Sequence, residues 1–366
     1  MLIDKIEPMY ALSPPNLSPS FPSLYRSMDI EELVQQYNSG KRDFTGINLA
    51  GANLSGINLS GADLSRAFLP YATLDRCVLI GACLDGAFLH GTQMKYAKLT
   101  GAQLNYCDLT KANLTGAYCV KATIAEAKLS GATLRAVNLR QATLQGANLC
   151  GANLSDANLY ATHLESADLS WANLSRAKLN GAHLEGACLS HVNLHEAFLN
   201  GVDLSGADLD GVDLSGAKLN GVNFNQANLS ATNLSHTHLK TASLIQANLR
   251  AANLSQSLLI RADLSEAHLS RSELSEADLS GANLSGANLN GANLHGANLH
   301  RANLRNTYMW MAKLDYVSLQ QTNLKGAQMQ GVSLRGANLQ EALCDQTTRL
   351  PLGYIDSPAS MSWMHG

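Results

Sequence analysis

Apolar residues recur at every fifth position over most of the chain. From Phe44 to Leu339 there are 60 consecutive central positions without insertion or deletion, and 53 of them are Leu. Two residues before each centre from Leu49 onward stands a small or β-branched residue, which is Ala at 40 of 59 positions. The segment GANLSGANLNGANLHGANLH, residues 281–300, shows the unit most regularly. A strict five-residue period therefore defines the chain.

A period of five fits neither an α-helix nor a straight β-strand. On a helix the Leu residues would be distributed over every face, and no single stripe could be buried. A chain that turns a corner every five residues can instead point the Leu and the small residue inward on each short side. Four sides close a square coil of about 20 residues, and coils stack about 4.8 Å apart. The pattern predicts an all-β solenoid of about 15 coils, roughly 70 Å long.

The segments that flank the repeats differ from them in composition. Residues 1–28 contain five of the eight prolines and are expected to be disordered. Residues 29–40 predict a capping helix that begins at Asp29 and stops near Ser39 and Gly40. Its apolar residues are spaced to cover the first coil: Ile30, Leu33, Val34 and Tyr37. The repeats then fill residues 41–345.

The two ends of the chain carry further expectations. The first ten residues have neither a basic start nor an apolar core, so no signal peptide is expected. The sequence that begins at Met28 continues directly into the predicted capping helix and the repeats. This favours Met28 as the start of translation over a genuine disordered arm. Residues 346–366 form a C-terminal tail without the period, with enough apolar side chains to pack on something.

The unit Ala52-Asn53-Leu54-Ser55-Gly56 follows the pattern A(N/D)LxG and resembles the pentapeptide-repeat family. The resemblance covers about 300 of the 366 residues. It implies a right-handed quadrilateral β-helix and a cyanobacterial origin, since such proteins are abundant in cyanobacteria. Some bacterial relatives resemble DNA in shape and charge and bind type II topoisomerases. A DNA-mimicking modulator of gyrase is therefore the alternative function, although family membership alone does not specify function.

Composition and charge narrow the classes of function. Aromatic residues make up 5% of the chain, so the core is built from Leu and Ala, and the net charge of −3 excludes a strongly basic nucleic-acid binder. Residues 41–345 carry no net charge, whereas a mimic of duplex DNA would carry a surplus of carboxylates. Charge is distributed unevenly, with +5 over residues 41–140, −7 over 141–280 and +2 over 281–345.

Acidic residues are concentrated in the middle of the chain. One group comprises Asp203, Asp208, Asp210 and Asp213, and a second comprises Asp263, Glu266, Glu273, Glu276 and Asp278. Such groups either receive a basic partner surface or are simply solvated.

Motifs for catalysis, cofactors and metals are lacking. The seven cysteines include no CxxC pair, and Cys77, Cys107 and Cys119 occupy inward positions, which suits a reducing, cytoplasmic compartment. His163 and His183 stand one coil apart on the same side, where they either hold a metal with outside help or form part of a solvated wall. We predict no metal, no cofactor and no small-molecule substrate.

Asparagine columns have a structural explanation. Asn153, Asn173 and Asn193 stand one coil apart and predict a ladder of side-chain hydrogen bonds. No catalytic cleft is expected on flat walls that exclude no water, so the chain is predicted not to be an enzyme.

Outward aromatic residues are concentrated on one of the four walls. We call it the aromatic wall, and its central residues include Leu69, Leu89, Leu169 and Met309. The candidate partner-binding residues are Phe68, Tyr71, Phe88, Trp171, Tyr308, Trp310 and Met311, with Tyr316 on the next wall. Near the C-terminal end these residues form a local apolar patch. The tail folds back over it, or a partner protein or a second copy of the chain binds it.

These observations predict a rigid, non-enzymatic scaffold that presents flat β walls to another protein. The partner's identity is not encoded in any motif, nucleic acid is not expected as a ligand, and no segment is apolar enough to cross a membrane as a helix.

Solution measurements test the predicted shape. Small-angle scattering should give the distance distribution of a rod, because stacked coils extend in one direction only. Circular dichroism should show β structure with minor helix. A compact particle or a mostly helical spectrum would contradict the solenoid.

Overall fold

A computed structural model describes residues 26–352 and 361–363, and it confirms the square coil. The residue before a centre generally pairs in parallel with the residue 20 positions further along, from the Asp43–Asp63 pair to the pair of Asn323 with Leu343, and Gln328 then pairs with Arg349, 21 positions along. With one centre every five residues, this spacing gives four sides per coil. The elements are β1 (Arg26–Ser27), α1 (Ile30–Asn38), β2 (Ile47–Asn48), β3 (Ala342–Cys344) and β4 (Met361–Trp363).

The core is a column along the coil axis. Every central residue from Phe44 to Leu339 is buried, as are most of the small residues two positions earlier. Each buried Leu contributes about 1.5–3 kcal/mol of transfer free energy, so this column is the main source of stability. Inward threonines are satisfied by the backbone; the hydroxyl of Thr162, for example, donates to the carbonyl of Leu139 at 2.9 Å.

Every backbone N–H of a typical unit has an acceptor. In residues 172–176, Leu174 and Arg176 donate to the next coil at 2.8 and 2.9 Å, and Asn173 donates to the previous coil at 2.9 Å. Ala172 donates to the preceding centre at 2.9 Å. The fifth donor, Ser175, reaches the side-chain Oδ1 of Asn173 at 3.0 Å. Asparagine before the centre therefore completes the hydrogen bonding of the turn.

A second arrangement operates where the residue before the centre is neither Asn nor Asp. The Oδ1 of Asp75 accepts from the N–H of Lys95 at 2.8 Å, and that of Asn290 accepts from Trp310 at 2.8 Å. In each case the acceptor follows a centre in the previous coil. Asx side chains thus serve the same donor from two alternative positions.

The predicted asparagine ladder is found only in part. The amides of Asn283 and Asn303 are linked at 3.0 Å, and Asn323 extends this column at 3.2 Å. In the column of Asn153, Asn173 and Asn193, by contrast, each Oδ1 accepts from the backbone two residues on, and no side chain bonds to the next. The turn does not exclude the ladder, since Oδ1 of Asn283 and of Asn303 each accepts both a backbone N–H two residues on and the amide of the next coil.

Corners of the coil require left-handed backbone. The corner residue has a φ near +65° when it is Gly, as at Gly281, and near +57° when it is another residue, as at Arg301. This conformation costs an L-residue about 1–2 kcal/mol, which explains the frequent glycine at this position. Where another side chain stands at the corner, it projects from the edge of the rod.

The N-terminal cap forms as predicted and extends further toward the N-terminus. Oδ1 of Asp29 accepts from the N–H of Glu32 at 2.7 Å, Leu33 is fully buried, and the Tyr37 hydroxyl donates to the Ser60 carbonyl at 2.8 Å. β1 pairs in parallel with β2 and Met28 is buried, so the structured chain reaches into the predicted disordered segment. The remainder of that segment, residues 1–25, lies outside the described residues.

At the C-terminal end, part of the tail continues the stack. β4 pairs in parallel with β3, with Ala342 opposite Met361 and Cys344 opposite Trp363. α1 is the single helix of the described residues and has nine residues, which is too short to cross a bilayer.

One gap interrupts the ladder. Bridges are missing between His183 and Asp203 and between Cys188 and Asp208, although the other two walls of the same coils remain paired. We call this gap the opening. Ala187 and Ala207, at inward positions on its two sides, are only half-buried. Two neighbouring coils therefore separate on two of their four sides.

The role of the Asx turn is testable at Asn173. Asn173→Ala should lower the free energy of unfolding by about 1 kcal/mol, because the Ser175 N–H loses its acceptor. Hydrogen exchange at the Ser175 amide should accelerate, as measured by NMR or mass spectrometry. Asn173→Asp retains the acceptor and is the matched control. Equal losses in the two variants would show that the amide matters for another reason.

Candidate functional site

The aromatic wall carries three separate groups of side chains. Near the N-terminal end, the rings of Phe68 and Phe88 stack at 5.3 Å with an interplanar angle of 9°. Tyr71, which is 64% exposed, meets His90 edge-on at 5.5 Å. The neighbouring coils thus bring the three predicted aromatics of this end together, and His90 joins them.

Trp171 stands alone among the predicted residues. It occupies a corner, and its ring stacks on that of His191 in the next coil at 4.1 Å. His191 was not among the predicted residues, although a spacing of 20 residues places it directly beside Trp171.

The third group is the C-terminal patch, formed by Tyr308, Trp310, Met311 and Tyr316. All four side chains are more than half exposed. Met311 and Tyr316 project from corners and lie over the glycine corners of the next coil. A Cβ at Gly331 would approach the sulfur of Met311 to 2.9 Å, and one at Gly336 would approach the Tyr316 ring to 2.7 Å. Glycine at these corners lets the two side chains lie flat against the rod.

The first and third groups do not form one site. Phe68 and Tyr308 are separated by 240 residues, which at 20 residues per coil and about 4.8 Å per coil is roughly 58 Å. A partner that contacts both groups would have to span most of the rod.

The tail and the C-terminal patch lie on different walls as far as the tail is described. β4 extends the wall of Asn323 and Leu343, whereas Tyr308 belongs to the wall of Gln328. Residues 353–360 and 364–366 lie outside the described residues. Tail docking over the patch therefore stays a prediction.

The acidic group beside the opening has structural partners. Oδ1 of Asp203 accepts from Ser205 and Asn223, and Oδ1 of Asp213 accepts from Ser215 and Asn233. The bond from the Ser205 backbone and other hydrogen bonds lower the pKa of Asp203. These carboxylates act as the Asx acceptors of their turns, which accounts for them without a basic partner.

Sequence reasoning identified the pair of His163 and His183 but missed Glu165, which lies beside them. The Nδ1–H of His163 donates to Oε1 of Glu165 at 2.8 Å, and the rings of His163 and His183 stack at 4.5 Å. Burial raises the pKa of Glu165, but the hydrogen bond from His163 and the charges of both histidines outweigh it and lower that pKa overall. The repeated triplet HLE at 163–165 and 183–185 is the signal that identifies these residues.

Similarity to a known protein family and to solved structures agrees with this architecture. The family of pentapeptide repeats matches in successive stretches from residue 43 to residue 342. The chain therefore belongs to the pentapeptide-repeat family, whose members fold as right-handed quadrilateral β-helices. Among curated protein sequences, none is significantly similar.

Solved structures include several relatives. HetL, a protein involved in heterocyst differentiation regulation from the cyanobacterium Nostoc, is 32% identical over 77% of this chain and 97% of its own, with a TM-score of 0.19. Another pentapeptide repeat protein from Nostoc is 34% identical over 29% of this chain and 84% of its own, with a TM-score of 0.17. QnrB1, a plasmid-mediated fluoroquinolone resistance protein, is 16% identical over 57% of this chain and 86% of its own, with a TM-score of 0.24.

Thiol chemistry tests the described environments. Burial raises the pKa of Cys77, Cys107 and Cys119 to about 12, whereas hydrogen bonds from Ser170 and Ser190 lower that of the exposed Cys188. At pH 7.5 iodoacetamide should modify Cys188 first, because the thiolate is the nucleophile. The three buried thiols should react only after unfolding.

Peptide mapping by mass spectrometry measures the order of modification. Cys188→Ser should remove the fastest phase of labelling. Labelling of Cys107 or Cys119 in the native protein at the rate of Cys188 would contradict the buried core.

Proposed function

We propose that this chain is a non-enzymatic, rigid scaffold for protein–protein interaction, and that its principal docking surface is the C-terminal patch. One observation carries the proposal. Four large apolar side chains, each more than half exposed, lie within nine residues of one another, whereas other exposed large side chains, such as Tyr71, Tyr106 and Trp171, are spread along the rod. Clustered aromatic residues and Met are the usual anchors of protein interfaces.

The backbone beneath the patch supports a docking role. Trp310 N–H is held by Oδ1 of Asn290 at 2.8 Å, and its coil is hydrogen-bonded to both neighbours. The patch is thus presented in one fixed arrangement, and binding would cost little ordering of the backbone. Rigid presentation is what a scaffold contributes to affinity.

Charge around the patch indicates the kind of partner. Arg305, Lys313 and Arg335 are exposed beside it, and the guanidinium of Arg335 lies 6.0 Å from the centre of the Tyr316 ring. Asp315, which precedes Tyr316, accepts a hydrogen bond from the Ser333 hydroxyl, and the three cations leave the rim basic. A partner with an apolar centre and an acidic rim would match this surface. A second copy of the chain would instead bring the same basic rim to the interface, which favours a different protein over a homodimer.

Other functions have less support. Modulation of gyrase by DNA mimicry is the second candidate. It has less support because the repeats carry no net charge, whereas the phosphates of a DNA duplex are all negative. We place the protein in the cytoplasm because seven free thiols suit a reducing compartment.

Substitution within the patch tests the proposal. The double variant Tyr308→Ala/Trp310→Ala should lose capture of a specific partner from the native organism by more than about tenfold, because aromatic anchors carry most of the binding energy. Quantitative mass spectrometry of pull-downs with the full-length chain measures this loss. The melting temperature should stay unchanged, since both side chains are exposed.

Tyr71→Ala/Trp171→Ala is the matched control, with equally exposed aromatics on the same wall. Undiminished capture by the patch variant would contradict the docking site. A fall in its melting temperature that deletion of residues 346–366 reproduces would show that the tail covers the patch. Inhibition of gyrase supercoiling by the wild-type chain would favour the second candidate.

A further inference from the structure

The triplets His163-Leu164-Glu165 and His183-Leu184-Glu185 place ligating groups on one wall. Residues two apart on an extended side point in the same direction, so His163 and Glu165 flank the buried Leu164 on the outer face. Twenty residues later the pattern repeats in the next coil, where His183 pairs with His163 across the ladder. The period of the fold thus gathers imidazole and carboxylate groups from two coils.

Distances within this group suit a single ion. Nitrogen atoms of His163 and His183 and a carboxylate oxygen of Glu165 all lie within 4.8 Å of one another. Tetrahedral zinc sites have bonds of about 2.0–2.2 Å, which place the ligand atoms roughly 3.4 Å apart. Side-chain rotation that moves the ligand atoms by up to about 1.4 Å closes this difference.

The second oxygen of Glu165 is an independent indication. Oε2 is buried and accepts no hydrogen bond within the described residues. A buried carboxylate oxygen without a donor is costly unless a cation or a water serves it. An ion bound beside Glu165 would replace the proton that His163 now donates to Oε1. It would also give Oε2 the partner that this atom lacks.

We propose that His163, Glu165 and His183 form a binding site for a divalent transition metal ion, best matched by Zn²⁺. Two imidazoles and one carboxylate are a ligand set that zinc accepts, with the fourth position left to water or to a side chain of a bound protein. This assignment departs from the expectation of a chain without metal. It is independent of the C-terminal patch, which lies about seven coils away at 20 residues per coil.

The site lies at the edge of the opening. His183 has lost its bridge to Asp203, so its coil is held on this wall by the previous coil alone. A metal bound by His183, His163 and Glu165 would link the coil of His183 to the previous coil. Bound metal should therefore stabilise the chain as well as occupy the site.

Isothermal titration of the full-length chain with Zn²⁺ at pH 7.5 tests the proposal. One high-affinity site per chain is expected, accompanied by a rise in melting temperature. His163→Ala, His183→Ala and Glu165→Gln should each weaken binding by at least about tenfold. Titration with Co²⁺ should produce a tetrahedral visible absorption band that these variants lose. Their melting temperatures without metal should match that of the wild type, because the three side chains face outward.

Two control variants remove other zinc-seeking groups. His195→Ala removes another histidine beside a glutamate, with His195 Nε2 3.8 Å from Glu196, and Cys188→Ser removes the exposed thiol. Both should bind Zn²⁺ as the wild type does. Loss of binding in a control variant, or binding retained in the His163 and His183 variants, would overturn the assignment.

Discussion

Satisfaction of backbone hydrogen bonds between successive coils is the constraint on which the whole structure depends. A single coil has no strand longer than a few residues and cannot satisfy its own donors. Leu and corner N–H groups reach the following coil, and the Asx side chain serves the donor that no coil can reach. Each coil is therefore stable only between neighbours, and the end coils need other partners.

The ends of the rod show how that need is met. At one end α1 covers the apolar core while β1 pairs with β2, and at the other β4 pairs with β3. At the opening, two coils lack this pairing on two walls, and Ala187 and Ala207 become partly exposed as Ala52 and Ala337 are near the ends. The opening thus has the properties of an end in the interior of the rod.

Much of the fold could be predicted from the sequence because the period fixes which residues face inward. The Leu column, the inward cysteines and the helix that begins after Asp29 all depend on local spacing, and all three are confirmed. The partners of β1 and β4 and the opening were not predictable, since they depend on contacts between distant segments. Glu165 was missed because it lies two residues from His163, in a different column. His191 lies in the column of Trp171 and was missed because only Phe, Tyr and Trp were counted as aromatic residues.

The two ends of the rod carry different structures, and this difference has a consequence for assembly. Contact between unlike ends would be heterologous, and repetition of such a contact builds an open filament wherever the rotation does not close into a ring. α1 with β1 at one end and β4 at the other place non-repeating backbone where the next molecule would have to continue the ladder. At the N-terminal end, where α1 covers the apolar core, a second molecule would have to displace the helix before it could stack, so this cap opposes growth of a fibre.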